Sequence, residues 1–278
     1  MTHFSVRPAT RVIHTSDSHL SADLPNRVDA WTNFVRFTEW TRPDLVLHTG
    51  DVISNLPDSE EDYEFSAFQL RRLTVPWRVV PGNHDIGDTP PDPYHGVVTE
   101  ERLERWHRHF GQDRWASEVD GWLLVGLNSQ LFDSPLAAKE QAQWDWFDEI
   151  LEEYPHLRLA LFIHKPPCLF SLDDDLYVNK AIGLRARRRL LSLAQSGRLK
   201  LIACGHLHEF MTLESYGVLI VAAPGLAMAP ESGPTRGLGV RWDGAVEYRF
   251  SENGLRFRML QASELRAPVL AQLDIEPT

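Results

Sequence analysis

Seven short runs rich in Val, Ile and Leu end abruptly, six of them at a residue able to bind a cation. RVIHTSD stops at Asp17, DLVLHTGD at Asp51, and WRVVPGNHD at Asn83, His84 and Asp85. GWLLVGLNS stops at Asn128, LRLALFIHK at His164 and Lys165, and LKLIACGHLH at His206 and His208. The seventh, GVLIVAAPG, closes on Pro224 and Gly225. Apolar runs of this length, bounded by polar or glycine-rich sequence, read as buried strands running out into loops.

Helical patterns lie between them. They cover Val28 to Thr41, Glu60 to Leu73, Glu100 to Phe110, Ala138 to Glu153 and Leu184 to Ala194. Strands alternating with helices predict an α/β fold. From Gly239 to Leu260 the pattern alternates as antiparallel strands do, with Asp243–Gly244 and Asn253–Gly254 as turns. The sheet system is therefore expected to be mixed. One domain over residues 1–265 is expected, with residues 266–278 as a loose extension.

The chain has 278 residues, 28 Lys plus Arg and 39 Asp plus Glu, for a net charge of −11. Such an acidic body repels nucleic acid and anionic membranes, so neither is an expected partner. Two cysteines, Cys168 and Cys204, make no disulfide framework. No stretch approaches the ~20 apolar residues of a membrane span, and the N-terminal residues lack a signal-peptide apolar region. A cytoplasmic protein is the expectation. Oligomeric state is not legible.

Asp17 and His19 stand two residues apart, so one loop can turn both toward one metal. His206 and His208 repeat that spacing. Carboxylate, amide and imidazole donors together suit first-row metals such as Mn, Fe or Zn. Ligands at strand ends gather at one edge of a sheet, where open α/β folds place their sites. Each motif alone is common. All of them in one chain, each after an apolar run, are not.

This set, D-x-H, GD, GNHD, H and GHLH from Asp17 to His208, resembles the calcineurin-like metallophosphoesterase superfamily. The resemblance implies a four-layer αββα sandwich of two mixed sheets around a dinuclear metal centre. It implies that Asp17, His19, Asp51 and His208 hold one metal, and that Asp51, Asn83, His164 and His206 hold the other, with Asp51 shared. It gives His84 the catalytic role of protonating the leaving group or stabilising the phosphoryl oxygens, and has Asp85 orient His84. Two cations would clamp a phosphoryl oxygen and activate a water for attack on phosphorus.

Within the superfamily, the strand ending in Asn128–Ser129 and its following helix are similar to the class III cyclic-nucleotide phosphodiesterase and glycerophosphodiesterase group. So is VLIVAAPGLAMAP after GHLH. No tyrosine follows Gly50–Asp51, against a tyrosinate-iron site, and His84 stands where a lipid-hydrolysing branch has arginine. The expected substrate is a small phosphodiester, a cyclic nucleotide or a glycerophosphodiester. The alternatives are a phosphomonoesterase acting on a nucleotide, sugar phosphate or phosphoprotein and, more remotely, a DNA nuclease or a non-catalytic scaffold. Among other residues, Lys165 reads as a loop residue at the site's edge, and His14 and His48 as core histidines. Arg185, Arg187, Arg188 and Arg189 read as a solvated helix face, and His107 and His109 as surface residues.

Overall fold

A computed structural model describes residues 9–54, 56–176, 178–227 and 239–272. Strands β1 (Thr10–Thr15), β2 (Leu45–His48) and β3 (Trp77–Val79) run parallel. They share a five-stranded sheet with β10 (Gly244–Ser251) and β11 (Gly254–Gln261), in the order β11-β10-β1-β2-β3. The last two pair antiparallel, β10 with β1 and β11 with β10. A second sheet has the order β4-β5-β6-β7-β9-β8. It is built from β4 (Trp115–Val119), β5 (Trp122–Gly126), β6 (Arg158–Phe162), β7 (Leu199–Cys204), β8 (Met211–Ser215) and β9 (Val218–Ala222). Strands β5, β6, β7 and β9 are parallel, and the two edge strands antiparallel.

Strand alternation sorts side chains into three cores. Val12, Leu45, Leu47, Leu124, Ala160, Phe162, Leu201 and Ala203 fill the space between the sheets. Their neighbours Ile13 and Val46 face outward, under α1 (Pro25–Thr41), α2 (Glu60–Leu70) and α4 (Glu100–Phe110), the one-turn α3 (Asn83–Ile86) lying between the last two in the chain. Leu123, Val125, Leu159, Leu161 and Ile202 face the opposite way, under α5 (Ala137–Glu153) and α6 (Leu184–Gln195). The expected four-layer arrangement is therefore present: helices, two mixed sheets, helices.

Several expectations need correction. Helix α1 begins at Pro25, three residues early, because proline at a first turn surrenders no helical hydrogen bond. Neither expected turn falls where the pattern puts it: the β10–β11 hairpin turns at Glu252–Asn253, with Gly254 already paired with Ser251, and Gly244 is already paired with Gln261 in β10. The chain does not loosen at Arg266. Helix α7 (Ala262–Gln272) runs through it, packs on α1 and buries Leu265, although it contains Pro268. Residues 228–230, the end of the segment likened to the phosphodiesterase strand end, and residues 273–278 lie outside the described residues.

The basic run of α6 is not uniformly solvated. Arg187 is buried, pairs with Asp174 at 2.7 Å and donates to the carbonyl oxygens of Asp174 and Leu176. His109 bridges from α4 to Glu60 of α2 at 2.7 Å. His14 and His48 are core residues as expected, each hydrogen-bonded to one hydroxyl, of Thr49 and Ser18 respectively.

Candidate metal centre

All five ligand-bearing loops leave the C-terminal ends of parallel strands. Loops after β1, β2 and β3 supply Asp17 and His19, Asp51, and Asn83 with His84. Loops after β6 and β7 of the facing sheet supply His164, then His206 and His208. Inside the first sheet the loops are laced together by Asp17 N→Gly50 O (3.0 Å), His19 N→Asp51 O (3.0 Å) and Leu20 N→Val52 O (2.7 Å). Across the sheets, His206 N donates to Asp17 Oδ2 (3.0 Å) and His164 Nδ1 to the Thr49 carbonyl (2.7 Å).

The backbone is strained where the ligands sit. Asp17, His19, Asp51, His206 and His208 all have positive φ, between 43° and 68°. Non-glycine residues there cost on the order of 1–3 kcal/mol each and persist only where the surroundings over-determine them. Two motif glycines allow close approach. A Cβ on Gly82 would run into the Asp51 carboxylate, and one on Gly205 into Ser16 and Asp17.

Donor atoms gather into two groups, each within 4.8 Å. One is Asp17, His19, Asp51 and His208; the other is Asp51, His164 and His206. Asp51 belongs to both. Its Oδ2 lies 3.8 Å from His19 Nε2, while Oδ1 lies 3.4 Å from His164 Nε2. In the first group His208 Nε2 is 3.1 Å from His19 Nε2 and 3.2 Å from Asp17 Oδ1. In the second, His164 Nε2 is 2.9 Å from Asn83 Oδ1 and 3.1 Å from His206 Nδ1. The seven residues singled out as ligands thus converge.

These residues fit cations on chemical grounds. His164 donates a hydrogen bond from Nδ1 to the Thr49 carbonyl, so Nε2 presents a lone pair toward the acceptors Asn83 Oδ1 and Asp51 Oδ1. Burial lowers the pKa of His164 to about 4 and drives those of His19 and His206 well below the usual imidazole value, so all three are neutral ligands at pH 7. Burial raises Asp17, but the imidazoles of His208, His164 and His19 outweigh it and hold that carboxyl well down. Burial and the nearby Asp17 and Asp85 push Asp51 well above the carboxylate range. A cation between the groups offsets that repulsion.

His84 belongs to neither group. Its backbone N–H donates to Asp51 Oδ1 at 2.9 Å, its Nδ1 to the Ser54 carbonyl at 2.9 Å, and its ring centroid is 4.4 Å from that of His19. Nε2 stands 4.0 Å from Asp51 Oδ2. Asp85 does not orient the His84 ring, contrary to expectation. Its Oδ1 accepts from Val52 N and Ile53 N, and its Oδ2 from Gly82 N. It fixes the Asp51 loop against the GNHD turn, because three backbone donors point at it while the His84 ring turns toward Ser54. Lys165 is also not an edge residue. It is buried, ion-paired with Asp88, and donates to the Thr89 carbonyl at 3.0 Å. One residue at the centre escaped the motifs. His95, in the proline-rich loop, packs on His84 with centroids 4.0 Å apart.

Residues 10–210 match the family model for calcineurin-like phosphoesterase. The chain is 27% identical over 230 residues to the probable glycerophosphodiester phosphodiesterase GpdQ of Arcobacter nitrofigilis, covering 76% of this chain and 77% of the relative. It is 31% identical over 210 residues to the human serine/threonine-protein phosphatase CPPED1, covering 68% of this chain and 64%, just under two thirds, of that one. Its fold matches a dimetal phosphatase from Danio rerio with a TM-score of 0.62 at 13% identity, covering 92% of this chain and 97% of the other. The chain belongs to the calcineurin-like phosphoesterase family and is by class a metal-dependent phosphoric ester hydrolase. Among the described residues, no helix is long and apolar enough to cross a membrane.

Proposed function

We propose that this protein hydrolyses a small phosphodiester, such as a glycerophosphodiester or a cyclic nucleotide, at a two-metal centre. The observation that carries the reading is the division of Asp51, one oxygen toward each donor group. Asp17, His19, Asp51 and His208 would hold one ion; Asp51, Asn83, His164 and His206 the other. Two divalent ions there, Mn, Fe or Zn by donor type, supply charge neutralisation on the phosphoryl oxygens and a water acidified to a pKa of about 7.

The chain's own residues do the rest. The Ser54 carbonyl holds His84 by Nδ1, leaving Nε2 to face the substrate. Burial holds the ring's pKa down to about 3, and an anionic phosphoester beside it opposes that shift and favours its protonation. The Nε2 proton then passes to the oxygen of the departing alcohol. Asp85 keeps the Asp51 and GNHD loops in register through its three backbone bonds.

The diesterase preference draws support from the similarity to the Arcobacter relative. A phosphomonoesterase on the same centre is the second reading, favoured by the similarity to the human phosphatase. The protein reconstituted with Mn²⁺ should hydrolyse bis-p-nitrophenyl phosphate faster than p-nitrophenyl phosphate. The opposite order selects the monoesterase. No turnover of either with two ions bound per chain overturns both readings.

A further inference from the structure

Arg27 stands in the first turn of α1 and reaches back toward the centre. Its Nη1 donates to the His19 carbonyl at 3.2 Å and to Ser54 Oγ at 2.5 Å. One nitrogen thereby joins the loop after β1 to the loop after β2. Ser54 lies one residue past the Leu20–Ile53 bridge, and its N–H donates to the Leu20 carbonyl at 3.1 Å. The start of α1 is closed without the guanidinium, since the backbone N–H groups of Arg27 and Val28 donate to the Leu24 carbonyl at 3.0 and 3.2 Å. Helix capping therefore gives no account of the side chain.

The two residues that Arg27 ties together are both neighbours of the His84 ring. The Ser54 carbonyl accepts the hydrogen bond from Nδ1 at 2.9 Å, and the His19 ring meets that of His84 edge-on with centroids 4.4 Å apart. His95 packs on the ring from a separate loop. The His84 side chain is 25% exposed, so enclosure alone does not fix where Nε2 points. Its direction follows the Ser54 carbonyl. Misplacing a reacting group by ~1 Å can cost on the order of 10²-fold in rate.

We infer that Arg27 is a positioning residue that sets the His84 ring through Ser54, keeping Nε2 turned toward the reacting phosphoester. The inference rests on the place given to His84 in the function proposed above. Arg27 then acts only by way of His84. It contributes to kcat and not to substrate affinity, and its contribution disappears once the imidazole is removed. A guanidinium that gripped the substrate itself would lower KM whether or not His84 were present. A lysine ammonium, with three donors on a flexible stem, replaces it in part.

The test is a pair of double-mutant cycles on the Mn²⁺-loaded protein with bis-p-nitrophenyl phosphate. Arg27→Met, Arg27→Lys and Ser54→Ala are each measured alone and combined with His84→Ala. Arg27→Met and Ser54→Ala should each lower kcat by about 10-fold with KM and metal content unchanged. Arg27→Lys should recover part of that loss. In the His84→Ala background the same substitutions should change kcat by less than about two-fold. Should Arg27→Met shed metal or fail to fold, Ser54→Ala decides, because it leaves Arg27 on the His19 carbonyl. Losses that persist undiminished without His84, a raised KM at unchanged kcat, or a Ser54→Ala variant with wild-type kcat overturns the inference alone. A wild type inactive on every phosphoester, or His84→Ala as active as wild type, overturns the functional reading and this inference with it.

Discussion

Lys165→Met tests the structure at a position the sequence misrepresents. Lys165 and Asp88 are both buried, and the ammonium also bonds the Thr89 carbonyl. Burial pushes Lys165 down and Asp88 up, so desolvation outweighs their mutual attraction. Such a pair adds little over an apolar replacement, yet losing one partner strands the other. Breaking it should cost about 3–5 kcal/mol. In a domain of this size that lowers Tm by on the order of 10 °C. Adding Asp88→Asn removes the stranded charge and still accepts from Thr89 N, so the double variant should recover at least half the loss. Urea unfolding of wild type, both single variants and the double variant gives the cycle directly. A loss below about 1 kcal/mol for Lys165→Met, or a second substitution that adds to the damage, refutes the reasoning.

Three further outcomes are expected. Asp51→Asn should lose both metals and nearly all turnover; two ions per chain by elemental analysis would contradict its shared position. His84→Ala should keep its metals but slow turnover about 10²–10⁴-fold, more for alkyl than for aryl leaving groups, and equal losses would exclude an acid role. The third outcome concerns pH. His48, lowered to about 3 by burial, accepts from Gly50 N at Nδ1 and has no room for a second proton. The unfolded chain binds that proton below about pH 6.5 and the folded chain does not, so stability is full above 6.5 and falls as pH drops toward 3. His48→Gln should flatten the decline by about 1.4 kcal/mol per pH unit, and an unchanged slope in urea unfolding between pH 6 and 4.5 would refute the assignment.

The parallel strands and the C-terminal pair β10 and β11, most helices and every proposed ligand are legible in the sequence, because local pattern determines them; the antiparallel edge strands β4 and β8 are not. An apolar run that ends in Asp or His needs no distant partner to be recognised. What is not legible depends on partners far along the chain. Asp85 reads as the companion of His84, but its oxygens meet backbone donors at Val52, Ile53 and Gly82. Lys165 reads as a loop residue because Asp88, 77 positions earlier, is invisible to pattern. Arg187 sits in a basic run whose four members look alike until one is buried over Asp174. His95 lies in a proline-rich turn with no periodicity to mark it. Pro268 argues against a helix that packing on α1 nonetheless completes. The division of apolar runs between two sheets is likewise a tertiary fact.

Each donor group draws from both sheets, with Asp17, His19 and Asp51 facing His208, and Asp51 and Asn83 facing His164 and His206. A ligand set straddling a seam acts as a gauge of its alignment. Any sliding of one sheet over the other, even by a fraction of an ångström, changes donor distances before it disturbs either ladder. Substitutions deep between the sheets, at Phe162 or Tyr248 for instance, should therefore register as altered metal affinity while secondary structure stays intact.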